Sequence, residues 1–489
     1  MVRAKTRPGA RSRGRATPAR SSPVLRALPA LPALAVVILA AGQGKRMRST
    51  LPKVLQPLAG EPLLAHVLSL ANRLAPASLQ VVYGHGGELV RAAFQSASPA
   101  PRWVLQAAQR GTGHALLQAM PQIRDEQQVL VLYGDVPLLR AETLSELRTR
   151  AGSGVALLTA TRPDPSGYGR VLRDARGRVQ RIVEESDATA RERRVEEINT
   201  GVLIAPAGAL RRWLAALQPR NAQAELYLTD IVAMAVRERV PVHPLTVRDA
   251  TEALGINDKL QLAQAEAEYR RRRARELLER GVTMIDPTRI DLRGLIEVGQ
   301  DVVLDVNVVL EGPVRLGDGV RIGPHCIVSR ASIGAGTLVN AHSVIQEAQI
   351  GADCRIGPFA RVRPGTQLAD ASHIGNFVEI KNSRIGEHSK VNHLSYIGDA
   401  EIGRDVNVGA GTITCNYDGV DKWPTRIGDQ AFIGSGSMLV APVTIGPGAT
   451  VGAGSTITTD APPDKLTLAR SRQVTIPDWK RRRPKGSGS

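Results

Sequence analysis

Aromatic residues are scarce in this chain: Phe, Trp and Tyr make up 3% of its 489 residues. Its cores must be filled with aliphatic side chains, which the 43% hydrophobic content supplies. Cysteine is scarcer still. Cys326, Cys354 and Cys415 are the only three. They give no disulfide framework and no metal-ligand spacing, and they fit a reducing cytoplasm. No run of 18 apolar residues occurs, so the sequence offers no transmembrane helix. Acidic residues are missing from residues 1–26, where eight basic ones stand: Arg3, Lys5, Arg7, Arg11, Arg13, Arg15, Arg20 and Arg26. Five more lie at the other end, Lys480, Arg481, Arg482, Arg483 and Lys485. Thirteen of the +18 net charges thus belong to two ends that read as disordered, 1–33 and 471–489. The rest is ordinary for a phosphate-binding protein, so a nucleic-acid-binding role is not expected of the folded part. The arm also has the composition of an organelle transit peptide, although a disordered extension or an early start codon is the preferred reading. Pro29 and Pro32 interrupt its apolar run and argue against a secretory signal.

What is present in quantity is an aliphatic residue at every sixth position, often followed by glycine. Examples are Leu316-Gly317, Ile322-Gly323, Ile333-Gly334, Ile350-Gly351, Ile356-Gly357, Ile402-Gly403, Ile427-Gly428 and Ile445-Gly446. The rhythm runs from Val298 to Ile457 with occasional steps of five. No helix or flat strand has that period. It predicts a left-handed parallel β-helix of hexapeptide repeats, three short sides to a coil, with the aliphatic residue pointing to the axis. The glycine after it is expected at the corner, in a dihedral that a Cβ would forbid. Small residues four places on, Cys326, Thr337, Ser343, Cys354 and Ala360, fit the same narrow interior.

The first half has a different pattern. Apolar strands are expected at 36–41, Leu79–Tyr83, Trp103–Gln106, Val129–Tyr133 and Val155–Thr159, with helices between them at Leu63–Leu74 and Thr112–Met120. Alternating strand and helix gives an α/β, doubly wound, Rossmann-like sheet that binds ligands at the carboxyl ends of its strands. From Gly255 to Gly281 a Glu- and Arg-rich helical pattern joins the halves. The expected divisions are therefore 34–254, a linker helix 255–281, and a β-helix 282–470.

The first strand runs into Gly42-Gln43-Gly44-Lys45-Arg46. Strand, Gly-x-Gly and cations suit phosphates, although this is neither a P-loop nor a dinucleotide fingerprint. Leu39-Ala-Ala-Gly-Gln-Gly-Lys-Arg-Met47 with Leu51-Pro52-Lys53 resembles the signature of sugar-1-phosphate nucleotidylyltransferases. Tyr133-Gly134-Asp135, Gly167-Tyr168-Gly169-Arg170, Ile182-Val183-Glu184 and Glu197-Ile198-Asn199-Thr200-Gly201 follow in the family's order. The resemblance implies that Asp135 and Asn257 hold Mg²⁺, while Arg46 and Lys53 steady the phosphates. It places Leu39, Ala40, Ala41, Gly42, Gln106, Gly111, Thr112, Tyr133, Gly134, Gly169, Glu184 and Asn199 around UTP and its product. Asn257 also stands where a helix N-cap would lie. The family usually has Thr or Ser where Lys45 stands.

On the β-helix, polar residues interrupt the repeat at Arg361-Val362-Arg363, Asn376-Phe-Val-Glu-Ile-Lys381, Asn392-His393-Leu-Ser-Tyr396 and Asn407-Val-Gly-Ala-Gly-Thr412. A loop, Cys415–Arg426, breaks it outright. Both halves together, roughly 36 to 470, are similar to bifunctional N-acetylglucosamine-1-phosphate uridylyltransferase/glucosamine-1-phosphate acetyltransferases. That resemblance implies His393 as general base, Arg363 and Lys381 on the sugar phosphate, and Tyr396 and Asn407 on the sugar. Ala410, Asn416, Tyr417, Ser435, Ala453 and Arg470 would serve acetyl-CoA. Cys415 as nucleophile is set aside, since direct transfer needs none. It also implies a homotrimer in the cytoplasm that supplies UDP-N-acetylglucosamine for peptidoglycan and lipopolysaccharide. The alternative is a nucleotidylyltransferase whose β-helix is only structural or regulatory.

Overall fold

The computed structural model describes residues 31–42 and 44–481. Residues 1–30, Gln43 and 482–489 lie outside the described residues, and with them most of the two basic ends. Residues 471–481 carry no helix or strand and are exposed.

The amino-terminal half is built on one mixed sheet. Its strand order is Val242–Thr246, Val155–Thr161, Glu197–Pro206, Gln128–Tyr133, Leu34–Ala40, Ser78–Tyr83, Arg102–Leu105. Leu34–Ala40 is buried along its whole length, as expected of a central parallel strand. Its two neighbours were laid down in opposite directions from it: the chain goes first to Ser78–Tyr83 and later returns to Gln128–Tyr133. The crevice at the carboxyl ends of Leu34–Ala40 and Gln128–Tyr133 is therefore a topological switch point, where such sheets bind ligands. The doubly wound expectation needs one refinement. Glu197–Pro206 runs antiparallel to both neighbours, and a hairpin, Arg170–Arg173 with Val179–Val183, extends from it. Neither feature has a period that differs from a parallel strand's, so the pattern hid them.

The linking helix spans Lys259–Glu279 rather than starting at Gly255. Asp258 is its N-cap and accepts from the Gln261 N–H at 2.8 Å, so Asn257 is not the cap. Gly281, at φ +93°, ends the helix, with Gly281 N–H donating to Leu278 O and Val282 N–H to Leu277 O, both at 3.0 Å.

The carboxyl-terminal half is a three-sided prism of parallel sheets with eleven, ten and nine strands. Each side pairs with the same side of the next coil, 17 or 18 residues on: Leu304, Ile322, Val339, Ile356, Ile374, Val391 and Val408 stack in one column. All are buried. Each such side chain contributes about 1.5–3 kcal/mol relative to exposure in water. Across one coil the offset rises to 25 on all three sides, from Ala400 to Thr425, Asn407 to Phe432 and Ile413 to Met438. Cys415 and Thr425–Ile427 are still in strands, so the insertion is narrower than Cys415–Arg426 and covers 416–424.

The corner glycines play a different part from the one expected. Among those named above, only Gly357 has a positive φ. A Cβ on Gly334 would lie 2.5 Å from the backbone of Gly351, and one on Gly409 would lie 2.5 Å from Ser435 N. Close approach of the next coil, not the dihedral, demands glycine there. The left-handed residue comes two positions later, and it is often not glycine: His325, His342, Asp353, Phe359, Phe377 and Gln430.

Cys326 and Cys354 are fully buried in the prism, as their spacing predicted. Burial pushes the Cys326 thiol up to about 11 and raises that of Cys354. Ellman's reagent at pH 8 is predicted to leave both untouched in the folded protein and to titrate them after denaturation. Rapid labelling of either in the native state contradicts this packing.

Candidate active sites

A pocket of about 460 Å³ opens at the switch point of the sheet. Ten of the residues expected around the nucleotide line it: Leu39, Ala40, Ala41, Gly42, Lys53, Gln106, Gly111, Thr112, Tyr133 and Asp135. Gly44 is held at φ +61°, and a Cβ there would come within 2.6 Å of the Lys53 Cβ. Glycine thus lets the first loop close over Lys53. Gly111, at φ +101°, is pressed against the Leu226 carbonyl in the same way. The buried amide of Gln106 donates to Gly111 O at 3.1 Å and meets His114 Nδ1 at 3.1 Å, which fixes its plane. Thr112 Oγ1 accepts from the Leu228 N–H at 3.1 Å. Gly134 follows Tyr133 at the end of its strand, with its N–H on Leu39 O at 2.9 Å.

Lys53 forms an ion pair with Asp135 and donates to Asn257 Oδ1 at 2.8 Å. Arg46 reaches the same Asn257 oxygen at 3.0 Å. Asn257 and Arg46 do not line the pocket themselves, but the Asn257 oxygen meets Lys53, which does, and Asp135 and Asn257 converge on one ammonium. Two hard oxygen donors already gathered about a cation fit a divalent ion such as Mg²⁺. Among the described residues no group of three or more His, Cys, Asp or Glu forms a metal cage, so further ligands would come from substrate and water.

Gly169, Glu184 and Asn199 do not line this pocket. They lie beyond Tyr133, whose ring packs on Gly201 where a Cβ would come within 2.5 Å. Asn199 N–H donates to Gly169 O at 2.8 Å, and Glu184 Oε1 accepts from Thr229 at 2.9 Å. Burial raises the Glu184 carboxyl above its ordinary value, and Asp230 and Asp187 add to it against the Thr229 hydrogen bond. Burial, with Glu184 and Asp135 nearby, also raises the Tyr133 hydroxyl. Sequence reasoning missed Gln109, whose amide donates to Ala41 O at 2.6 Å and pins the first loop. Nothing in its immediate sequence marks that contact. Lys45 lines the pocket and is exposed.

On the β-helix the coil register assembles a second constellation. His393 lies directly above Asn376, and its Nδ1 bonds Asn376 Oδ1 at 2.7 Å. The same corner position in the next three coils is Ala410, Ser435 and Ala453. The N–H of Gly411 reaches His393 O, that of Gly436 reaches Ala410 O, and that of Gly454 reaches Ser435 O, at 3.1, 2.7 and 2.8 Å. Arg470 closes the column with a 2.7 Å bond to Ala453 O. A histidine thus stands at the foot of a corner kept low by small residues.

Around the corner, Arg363 pairs with Glu379 at 2.7 Å, and Lys381 lies in register with Gly398. A Cβ on Gly398 would lie 2.5 Å from the Tyr396 hydroxyl and 2.8 Å from Asn416 Nδ2. Asn416 is in turn hydrogen-bonded to Asp399 at 2.5 Å, at the root of the insertion that carries the exposed Tyr417. Asn407 is not beside His393 within one chain. It pairs with Lys390, at the other end of that flat side.

Comparison with known proteins agrees with both halves. The MobA-like NTP transferase domain family matches residues 36–280. The bacterial transferase hexapeptide family (six repeats) matches 296–330, 347–382 and 424–459. The bifunctional protein GlmU of Alkalilimnicola ehrlichii is 58% identical over 460 residues, covering 94% of this chain and 99% of that protein. The GlmU of Aromatoleum aromaticum is 58% identical over 93% of this chain and 99% of its own. The GlmU of Azoarcus sp. strain BH72 is 57% identical over 91% and 98%. The chain belongs to the bifunctional GlmU family. Membership covers the sheet domain and the prism alike, since the matched stretch includes nearly the whole length of these GlmU proteins. No helix among the described residues is long and apolar enough to cross a membrane.

The glycines give a direct test of the nucleotide pocket's geometry. Gly111→Ala is predicted to cost about 1–3 kcal/mol of stability, through the forced dihedral and the clash with Leu226. Gly42→Ala, where no atom lies within 4 Å of the new Cβ, is predicted to stay within about 0.5 kcal/mol of the parent. Chemical denaturation followed by fluorescence reads both. Equal effects would contradict the loop geometry.

Proposed function

We propose that this GlmU-family chain makes UDP-N-acetylglucosamine in two steps, in the cytoplasm, as precursor for peptidoglycan and lipopolysaccharide. The prism transfers acetyl from acetyl-CoA to glucosamine 1-phosphate. The sheet domain then transfers UMP from UTP to N-acetylglucosamine 1-phosphate and releases pyrophosphate. The observation that carries the reading is the Asn376–His393 pair at the foot of the Ala410–Ser435–Ala453 corner.

A histidine that donates its Nδ1–H to Asn376 presents an Nε2 lone pair. Nε2 takes a proton from the sugar amine as nitrogen attacks the thioester carbonyl. The C–S bond breaks, and coenzyme A leaves as the thiol after protonation. Arg363 and Lys381 bind the sugar phosphate, and Tyr396 and Asn407 bind the sugar. The low corner accepts the arm of acetyl-CoA along Ala410, Ser435 and Ala453, with Arg470, Asn416 and Tyr417 at its margins. The β-helix suggests an oligomer, and a homotrimer accounts for Asn407: a neighbouring copy's Asn407 supplies what one chain keeps apart from His393.

In the sheet domain a phosphate oxygen of the sugar is already a nucleophile and needs only position and charge neutralisation. Gln106, its amide nitrogen engaged, offers its oxygen to the imide N–H of uracil. Lys53 and Arg46 hold the triphosphate as the bond from the α-phosphorus to pyrophosphate breaks. Tyr133, Gly169, Glu184 and Asn199 hold the sugar. Asp135 and Asn257 hold Mg²⁺, which when bound offsets charge on the phosphates.

His393→Ala is predicted to lower acetyl transfer by about two to four orders of magnitude while uridylyl transfer continues. Asp135→Ala is predicted to do the reverse. Separate assays of thioester consumption and pyrophosphate release read the two, and full acetyl transfer by His393→Ala would remove the assignment. Light scattering on the purified protein should give three times the 52.3 kDa chain mass. A monomer with full acetyl transfer would contradict the shared site.

A further inference from the structure

The linking helix does more than connect. Of its run Arg270–Arg273, Arg272 turns inward and is only 14% exposed. Its Nη1 donates to Leu138 O at 2.6 Å, and its Nη2 to Thr251 Oγ1 at 2.8 Å and Asp249 Oδ2 at 3.2 Å. Its Nε donates to Glu268 Oε1, one turn back, at 2.5 Å. One guanidinium therefore ties three stretches of backbone together. Leu138 is three residues past Asp135, in a loop with no regular structure. Thr251 lies six residues before Asn257. The two stretches also touch directly, through the Ile256 N–H on Asp135 O at 2.9 Å. The oxygens that converge on Lys53 thus stand on two segments that Arg272 clamps from behind.

We infer that Arg272 is a positioning residue for the divalent-cation site. It touches neither substrate nor the reacting atoms. It holds the separation between the Asp135 loop and the Asn257 segment, and so the affinity of their oxygens for the ion. The fork geometry of a guanidinium is needed to reach a carbonyl, a hydroxyl and a carboxylate at once, and a lysine reaches only one of them. Groups behind metal ligands commonly alter metal affinity by about 10- to 100-fold. Arg272 acts one step further back, so a smaller effect of about fivefold is expected. The inference rests on the reading that Asp135 and Asn257 hold the ion.

The test uses full-length protein, with Arg272→Ala, Arg272→Lys and Asp135→Asn beside the parent. Free Mn²⁺ is titrated by electron paramagnetic resonance in the presence of UTP, and acetyl transfer by the same samples reports an intact prism. Far-UV circular dichroism reports the sheet domain. Arg272→Ala is expected to weaken Mn²⁺ binding about fivefold. It should raise the Mg²⁺ needed for half-maximal uridylyl transfer by a similar factor, with kcat at saturating Mg²⁺ within about twofold and acetyl transfer unchanged. Arg272→Lys should fall between Arg272→Ala and the parent and serves as the test if Arg272→Ala does not fold. If Asp135→Asn loses Mn²⁺ while both Arg272 variants bind it like the parent, the positioning role is overturned and the metal assignment stands. If Asp135→Asn binds Mn²⁺ like the parent, the metal assignment fails, and this inference fails with it.

Discussion

Most coils of the prism hydrogen-bond to the next at an offset of 17 or 18 residues, and this register is the constraint on which the second candidate site depends. It fixes every side chain over its counterpart one coil below. Residues far apart in sequence become neighbours only if they share a position in the repeat. Asn376, His393, Ala410, Ser435 and Ala453 do, and so a histidine, its hydrogen-bond partner and a low corner fall in one column. The coil that carries the 416–424 insertion lengthens the offset to 25 without breaking the column, because the extra residues leave and return at one corner.

The first site is assembled by a different logic. Its parts come from loops at one edge of a sheet, and ionic contacts across long sequence distances draw them together. Lys53 meets Asp135 and Asn257, and Arg272 holds the backbone on which both oxygens stand. Rigid strands set the approximate place and charged side chains set the final spacing.

Much of this was legible in the sequence. The six-residue rhythm identified the prism, its interior cysteines and its broken coil, because period is a local property. His393 and the nucleotide loop stood out as candidates because their neighbours form recognisable strings. Other features left no local trace. The Asn376 bond to His393 depends on the coil offset, and the Gln109 bond to Ala41 and the Arg272 bond to Leu138 depend on tertiary packing. The antiparallel strand Glu197–Pro206 has the same apolar character as a parallel one. Glycine's role in the prism was misread for a physical reason: a missing Cβ serves either an unusual dihedral or a close approach, and only coordinates tell which. The helix cap is Asp258, one residue past Asn257, and that difference leaves the Asn257 oxygen to meet Lys53 and Arg46.

The central claim is that one chain carries both transfers on two separately built sites. The most direct measurement supplies purified protein with glucosamine 1-phosphate, acetyl-CoA, UTP and Mg²⁺ and follows all products together. The account predicts coenzyme A, pyrophosphate and UDP-N-acetylglucosamine in equal amounts. Pyrophosphate release from supplied N-acetylglucosamine 1-phosphate with no thioester consumption from glucosamine 1-phosphate would contradict it, and would leave the prism a scaffold.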